Sequence, residues 1–166
     1  MGTNIYGWVE VRSLYVEEPL WMAVLQIWPL LERNYLMFGS LFGVRNLAGF
    51  RPVAPERGIP ADASTEVKQE FTADQAEYPA QSHWPSWISW QEIKAIDGEE
   101  RTVQGDRRQE DRPGSPREQG QGQEHREETR RKEGLSGGWH TVFRIMELLA
   151  ETYTDEGVRL VAWFDG

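Results

Sequence analysis

Residues 4–12 read Asn-Ile-Tyr-Gly-Trp-Val-Glu-Val-Arg, and their alternation decides the fold prediction. Ile5, Val9 and Val11 share one parity, as expected for a β-strand that buries one face. The other parity carries the aromatic and charged side chains Tyr6, Trp8, Glu10 and Arg12. We predict a strand here, whose second face forms either a cross-strand ladder or the lining of a ligand cleft.

The end of the chain predicts a second strand. Residues 158–165 read Val-Arg-Leu-Val-Ala-Trp-Phe-Asp, an almost continuous apolar run that is typical of a central strand. Helical spacing predicts helices over 20–36 and 139–152, and capping residues predict shorter ones over 64–70 and 90–96. The expected fold is a single α+β domain. Its mixed or antiparallel sheet contains both terminal strands, and its helices pack on one face.

Residues 98–137 differ in composition from the rest of the chain. They are rich in Arg, Glu, Gln, Gly and Asp, with 9 basic and 10 acidic side chains and almost no aliphatic ones. Such a segment buries too little apolar surface to offset the entropy of ordering. We predict a charged, flexible, low-complexity insertion, and a domain formed by residues 1–97 and 138–166.

The charge balance limits the partners. The whole chain carries a net charge of −9, and the insertion contributes only −1 of it, so the remaining residues carry −8. A body this acidic repels a nucleic-acid backbone, so nucleic acid is not an expected partner. No apolar run is long enough to span a membrane and no signal peptide is evident, so a cytoplasmic location is predicted. Cysteine is absent, which excludes disulfides and thiolate chemistry.

The candidate ligand-binding residues are mostly arginines placed beside apolar side chains. Residues 30–46 hold the densest mixture of core-type and functional-type residues, and the loop over 47–62 adds further arginines. A half-buried arginine needs either a carboxylate of the protein or an anionic or planar ligand, and both readings stay open. The tryptophans of 84–90 form either a packed lid or an aromatic floor for a flat ligand. The predicted binding residues are Arg33, Arg45, Arg51, Arg57, Tyr6 and Trp87.

Catalytic chemistry has one candidate acid–base residue. His83 is the best general acid or base, with Glu10 or Asp165 as its carboxylate, although a hydrogen-bonded structural histidine fits the same position. A two-histidine metal site that adds His140 has no specific spacing, so no metal ligand and no cofactor are predicted. No phosphate-binding loop and no nucleophile elbow occur in the sequence, and enzyme activity is left open.

Several segments together resemble a family of small uncharacterised proteins associated with phages and prophage-bearing bacteria. The resemblance is carried by residues 1–12, 33–46, 57–64, 82–89 and 158–165 and leaves out the insertion. Relatives carry Asp and His where this chain has Asn4 and Tyr6. If those residues bind a metal ion in the relatives, this chain lacks the ligands. The resemblance implies an accessory role, such as evasion of a host defence.

The predicted function is that of an accessory protein that binds a small anionic or nucleotide-like ligand. The resemblance implies phage counter-defence as one such accessory role. One alternative is a protein-interaction module that docks a host protein or a second copy of the chain. The other is a hydrolase or transferase that uses His83 with a carboxylate.

Overall fold

The computed structural model describes residues 2–79, 82–98 and 137–166. Residues 99–136, which make up almost all of the predicted insertion, lie outside the described residues. The described elements follow in the order β1 (Ile5–Arg12), β2 (Trp21–Gln26), α1 (Tyr35–Phe42), α2 (Thr65–Glu77), β3 (His83–Ser89), α3 (Trp90–Gly98), α4 (Gly138–Tyr153) and β4 (Val158–Phe164).

The two terminal strands pair with each other at the centre of the sheet. The strand order is β2-β1-β4-β3, and every neighbouring pair is antiparallel. Ile5 lies opposite Phe164 and Val11 opposite Val158, so β1 and β4 are paired along almost their full length. The predicted single-domain α+β fold with both terminal strands in an antiparallel sheet is therefore confirmed.

The alternation of β1 and β4 separates the sheet into two faces. On the first face, the aliphatic parity of β1 joins Leu160 and Phe164 of β4 in the main core, which α1, α3 and α4 cover. On the second face, Trp8 and Trp163 pack with Val67 and Phe71 of α2. Of the four helices in the described residues, three thus pack on one face as predicted, and α2 covers part of the face that carries the aromatic and charged residues.

The structure corrects the helix predicted over 20–36. Trp21–Gln26 is the edge strand β2, and the helix begins only at Tyr35. Asn34 caps this helix by accepting a hydrogen bond from the Met37 backbone N–H. The spacing of the apolar residues in 21–26 fits an amphipathic helix as well as a strand. The free edge of β1 supplies the backbone hydrogen bonds that make this segment a strand, and that tertiary pairing cannot be read from the local sequence.

The helix start predicted near residue 90 has the expected capping box. The Ser89 hydroxyl accepts from the Glu92 backbone N–H at 3.2 Å, and Glu92 Oε2 accepts from the Ser89 backbone N–H at 3.0 Å. Ser89 also ends β3, so the capping box fixes the direction in which the chain leaves the sheet. Within the described ranges, no helix is both long and apolar enough to cross a membrane.

Candidate functional site

An ion pair is buried in the second face of the sheet. Glu10 of β1 lies opposite Arg159 of β4 in the strand register, and their exposed fractions are 0% and 3%. Arg159 Nε donates to Glu10 Oε2 at 2.7 Å. The other carboxylate oxygen of Glu10 accepts from the Ser64 backbone N–H at 2.7 Å, which ties the start of α2 to the sheet. The pair is thus hydrogen-bonded as well as charge-matched, the condition under which buried charges are tolerated.

Two further residues hold the Arg159 guanidinium in place. Its Nη1 donates to Asp62 Oδ1 at 3.0 Å, and its central carbon lies 3.7 Å from the centroid of the Trp21 ring. The Trp21 indole N–H donates to Asp62 Oδ2 at 2.9 Å. The Trp87 ring is farther away, with its centroid 5.8 Å from the guanidinium carbon. Stacking on an indole suits the planar, delocalised guanidinium.

One donor of this guanidinium is left over. Arg159 Nη2 is buried and finds no hydrogen-bond acceptor among the described residues. A buried donor without an acceptor costs about 1–3 kcal/mol, and more when it is charged. Such groups are uncommon in folded proteins, so this one calls for a physical explanation.

Arg159 also lies in the wall of an open cleft of about 550 Å³. We name this the Arg159 cleft; its main lining residues are Trp21, Arg57, Ile59, Asp62, Trp87, Glu156 and Arg159. The wall combines two indole rings with charged groups of both signs. A concave site that joins apolar walls to a few fixed polar groups is the usual form of a small-molecule site.

Arg57 forms the outer part of the cleft. Its guanidinium lies 4.9 Å from the Trp87 centroid and binds Glu92 through two hydrogen bonds of 2.6 and 3.0 Å. Partial burial by itself would raise the pKa of Glu92. The hydrogen bonds from Arg57 and Ser89 outweigh it and lower that pKa below the 4.5 of an unperturbed glutamate. Arg57 is therefore fixed in position by a carboxylate of the protein.

The lowered pKa of Glu92 predicts a pH-dependent contribution to stability. A depressed carboxyl pKa stabilises the fold above the unfolded value near 4.5, and this stabilisation is lost as the pH falls through the folded value. Glu92→Gln should lower the free energy of unfolding by about 1 kcal/mol at pH 7 and by clearly less at pH 3. Urea denaturation at both pH values measures this, with the exposed Glu147→Gln as control. A deficit that stays the same at pH 3 would contradict the assignment.

A second polar group, the terminal cluster, lies at the opposite end of β1 and β4 and consists of Asn4, Tyr6, Arg33 and Asp165. The Asp165 carboxylate accepts from the Asn4 backbone N–H, the Asn4 side-chain amide and the Tyr6 hydroxyl at 2.6, 2.8 and 3.0 Å. Arg33 Nε donates to Asn4 Oδ1 at 2.7 Å. Burial, followed by the hydrogen bond to Asp165, raises the pKa of Tyr6, so its hydroxyl stays protonated as a donor.

The remaining predicted arginines do not join the Arg159 cleft. Arg45 Nε donates to Thr3 Oγ1 at 2.9 Å, next to the terminal cluster in the sequence. Within the described part of the chain, neither Arg33 nor Arg45 forms an ion pair with a carboxylate. Arg51 is exposed and does not line the cleft. The structure therefore does not bring together Arg45, Arg51 and Arg57, which are spaced six positions apart along the chain.

The proposed catalytic pair is separated by the length of β4. His83 lies opposite Phe164 and Glu10 opposite Arg159, five residues away along the same strand. At about 3.4 Å per residue, this places the two residues about 17 Å apart along the strand direction, and they also lie on opposite sides of β4. Glu10 is moreover fully buried in its ion pair. The predicted pairing of His83 with Glu10 as general acid and base is therefore wrong, because the two residues are too far apart to share a proton.

Among the described residues, no group of three or more His, Asp or Glu is placed to hold a metal ion.

Two of the predicted binding residues, Arg57 and Trp87, do meet in the cleft, and sequence reasoning missed its centre. Arg159 has a detectable signal, because a single arginine in a continuous apolar strand must be buried and needs a partner. Trp21 was not proposed because the sequence predicted a helix there, and Asp62 was not proposed because it lies in a loop.

Comparisons of the chain with protein-family models, curated proteins and solved structures find no match. The fold and cleft define an α+β protein with a small-molecule-sized cleft built on a buried guanidinium.

Proposed function

We propose that this protein binds a small planar ligand in the Arg159 cleft. The observation that carries the proposal is the buried Nη2 of Arg159, which lacks an acceptor in the described chain while its side chain forms part of the cleft wall. A ligand oxygen bonded to this donor would remove the cost of leaving it unpaired. The hydrogen bonds to Glu10 and Asp62 orient the donor before any ligand arrives, which lowers the entropy lost on binding.

The cleft favours binding over catalysis. Its two guanidiniums donate to the carboxylates of Glu10, Asp62 and Glu92, so these acidic groups are already engaged within the protein. The aromatic walls suit a ring, because flat π-systems stack well on indole and guanidinium planes. An accessory role of the phage-associated kind and a cytoplasmic location remain predictions that fit a ligand-binding protein.

The first test is a search for the ligand on the full chain. Native mass spectrometry of the purified protein detects a co-purified mass that is lost on denaturation. A fragment screen follows the indole N–H signals by NMR, and we expect those of Trp21 and Trp87 to respond. Trp87→Ala should weaken binding about tenfold, because stacking on one aromatic ring contributes about 1 kcal/mol or more.

Trp28 provides the matched control. It is 46% exposed and packs against Tyr6 at the opposite end of the sheet, with ring centroids 5.6 Å apart. Trp28→Ala should leave ligand affinity unchanged. If no mass co-purifies and no fragment moves the Trp21 or Trp87 signals, the proposed function is wrong. Equal losses of affinity in the two variants would place the ligand elsewhere.

A protein-interaction role is the second candidate, favoured by one surface feature. The connection between β1 and β2 exposes several large apolar side chains, and Tyr15 is 91% exposed. The others there are Leu14, Val16 and Leu20. Clustered exposed apolar residues next to an edge strand are typical of docking surfaces. In the same native mass spectra, a dimer or a bound host protein without any small molecule would favour this candidate.

A further inference from the structure

The charges around the Arg159 cleft restrict what it can bind. Four carboxylates accompany its two arginines, a net charge of −2, within a chain of net charge −9. The carboxylates are Glu10, Asp62, Glu92 and Glu156. Glu10, Asp62 and Glu92 pair with the arginines, and Asp62 and Glu156 are exposed at the surface of the cleft. An anionic ligand would gain a guanidinium contact but meet this surplus of negative charge.

The polar groups present a donor and an acceptor side by side. Arg159 offers the unpaired Nη2 donor, and its neighbouring Nη1 lies 3.0 Å from Asp62 Oδ1. A carboxylate oxygen can accept more than one hydrogen bond, so Asp62 can still take a ligand N–H. An amide edge carries an acceptor C=O next to a donor N–H, in the same order as this pair. It matches both groups without adding charge.

The walls define the rest of the ligand. Trp21 and Trp87 supply indole surfaces, and Ile59 and Pro60 supply aliphatic ones. We infer that the ligand of the Arg159 cleft is an uncharged planar ring with an amide edge, the chemistry of a nucleobase, whose oxygen binds Arg159 Nη2 and whose N–H binds Asp62. This inference rests on the proposed function and specifies its ligand class: the ring end of a nucleotide-like molecule is recognised, and a phosphate is not.

Binding in this way requires an indole to move. Nη2 is covered in the structure, with Trp21 stacked 3.7 Å from the guanidinium carbon. Trp21 also lines a second hollow of about 420 Å³, and the inferred movement takes its ring toward that space. The ligand oxygen reaches Nη2 when this ring moves, and the hydrogen bond from Trp21 to Asp62 changes with it. The indole N–H of Trp21 therefore reports on occupancy.

Matched pairs of probes test the inference on the full chain. Nicotinamide is compared with nicotinate, and uridine with uridine 5′-monophosphate, while inorganic phosphate serves as the bare anion. Affinities come from titrations of the Trp21 and Trp87 indole signals. We expect the uncharged member of each pair to bind about tenfold more tightly and inorganic phosphate to leave both signals unmoved.

Asp62→Asn separates charge from shape. Its side chain is 48% exposed, so the variant is expected to fold. It removes one negative charge, and nicotinamide should lose most of its advantage over nicotinate. Glu147→Gln removes an exposed charge of α4 and should leave the ratio unchanged. Anions that bind more tightly than their neutral partners would overturn the inference while the proposed function stands. The same holds if none of the probes binds although a co-purified or fragment ligand does. Failure of every ligand would overturn both.

Discussion

Arg159→Ala is expected to lower the free energy of unfolding by about 3–5 kcal/mol. Among the described residues, Arg159 is the only cation bonded to Glu10, so the substitution leaves that carboxylate 0% exposed without a counter-charge. An unpaired buried charge costs far more than the loss of a surface ion pair. Urea denaturation followed by circular dichroism measures the change. The ion pair joins β1 and β4 at the centre of the sheet, so its loss affects the stability of the whole fold.

Two comparisons make this result specific to burial. Arg144 forms an ion pair with Glu147 on the exposed face of α4, and Arg144→Ala should change stability by no more than about 0.5 kcal/mol. Replacing both members of the buried pair, as Glu10→Leu with Arg159→Met, should recover most of the loss since neither charge is left alone. A loss in Arg159→Ala no larger than that in Arg144→Ala would show that Glu10 is not held by this arginine.

Gly7→Ala should destabilise the fold by about 2–6 kcal/mol, from backbone strain and overpacking together. Gly7 has a φ of +142°, and a β-carbon there would lie 2.0 Å from the carbonyl oxygen of Val161 and 2.8 Å from the Cα of Ala162. Both are backbone atoms of β4, so relief of the clash requires β1 and β4 to separate. Thermal and urea unfolding measure the effect.

Gly49→Ala is the control for backbone strain alone. Gly49 has a φ of +70°, and a β-carbon there meets nothing within 4 Å. Its substitution should cost about 1 kcal/mol, the price of a left-handed conformation without any clash. Equal losses at both glycines would mean that the approach of β4 does not make Gly7 necessary.

Much of the fold could be predicted because its elements are local patterns. The period of two over 4–12 and the apolar run over 158–165 identify β1 and β4, and both patterns persist in the structure. The helix predicted over 139–152 matches Gly138–Tyr153. These patterns survive because each one already contains the amphipathic or apolar surface that the core requires.

The prediction was wrong where two patterns competed. Apolar residues over 20–36 fit a helix, yet 21–26 forms β2 and only 35–42 is helical in α1. A short apolar run does not distinguish a helix from an edge strand, and the available edge of β1 decides between them. This error also removed Trp21 from the candidate site, because a helix would have placed its ring elsewhere.

By itself, the sequence determined which face of β1 is polar and that β4 is apolar enough to be a central strand, and it proposed Arg57 and Trp87 as binding residues. The tertiary structure alone decided that Glu10 meets Arg159, that Asp62 joins them and that Trp21 covers the guanidinium. Asp62 and Arg159 are 97 positions apart in the chain. Their contact depends on the register of β1 against β4 and on the path of the loop before α2. Both are set by the packing of the whole sheet and its helices, because a one-residue slip would turn every side chain of a strand to the other face.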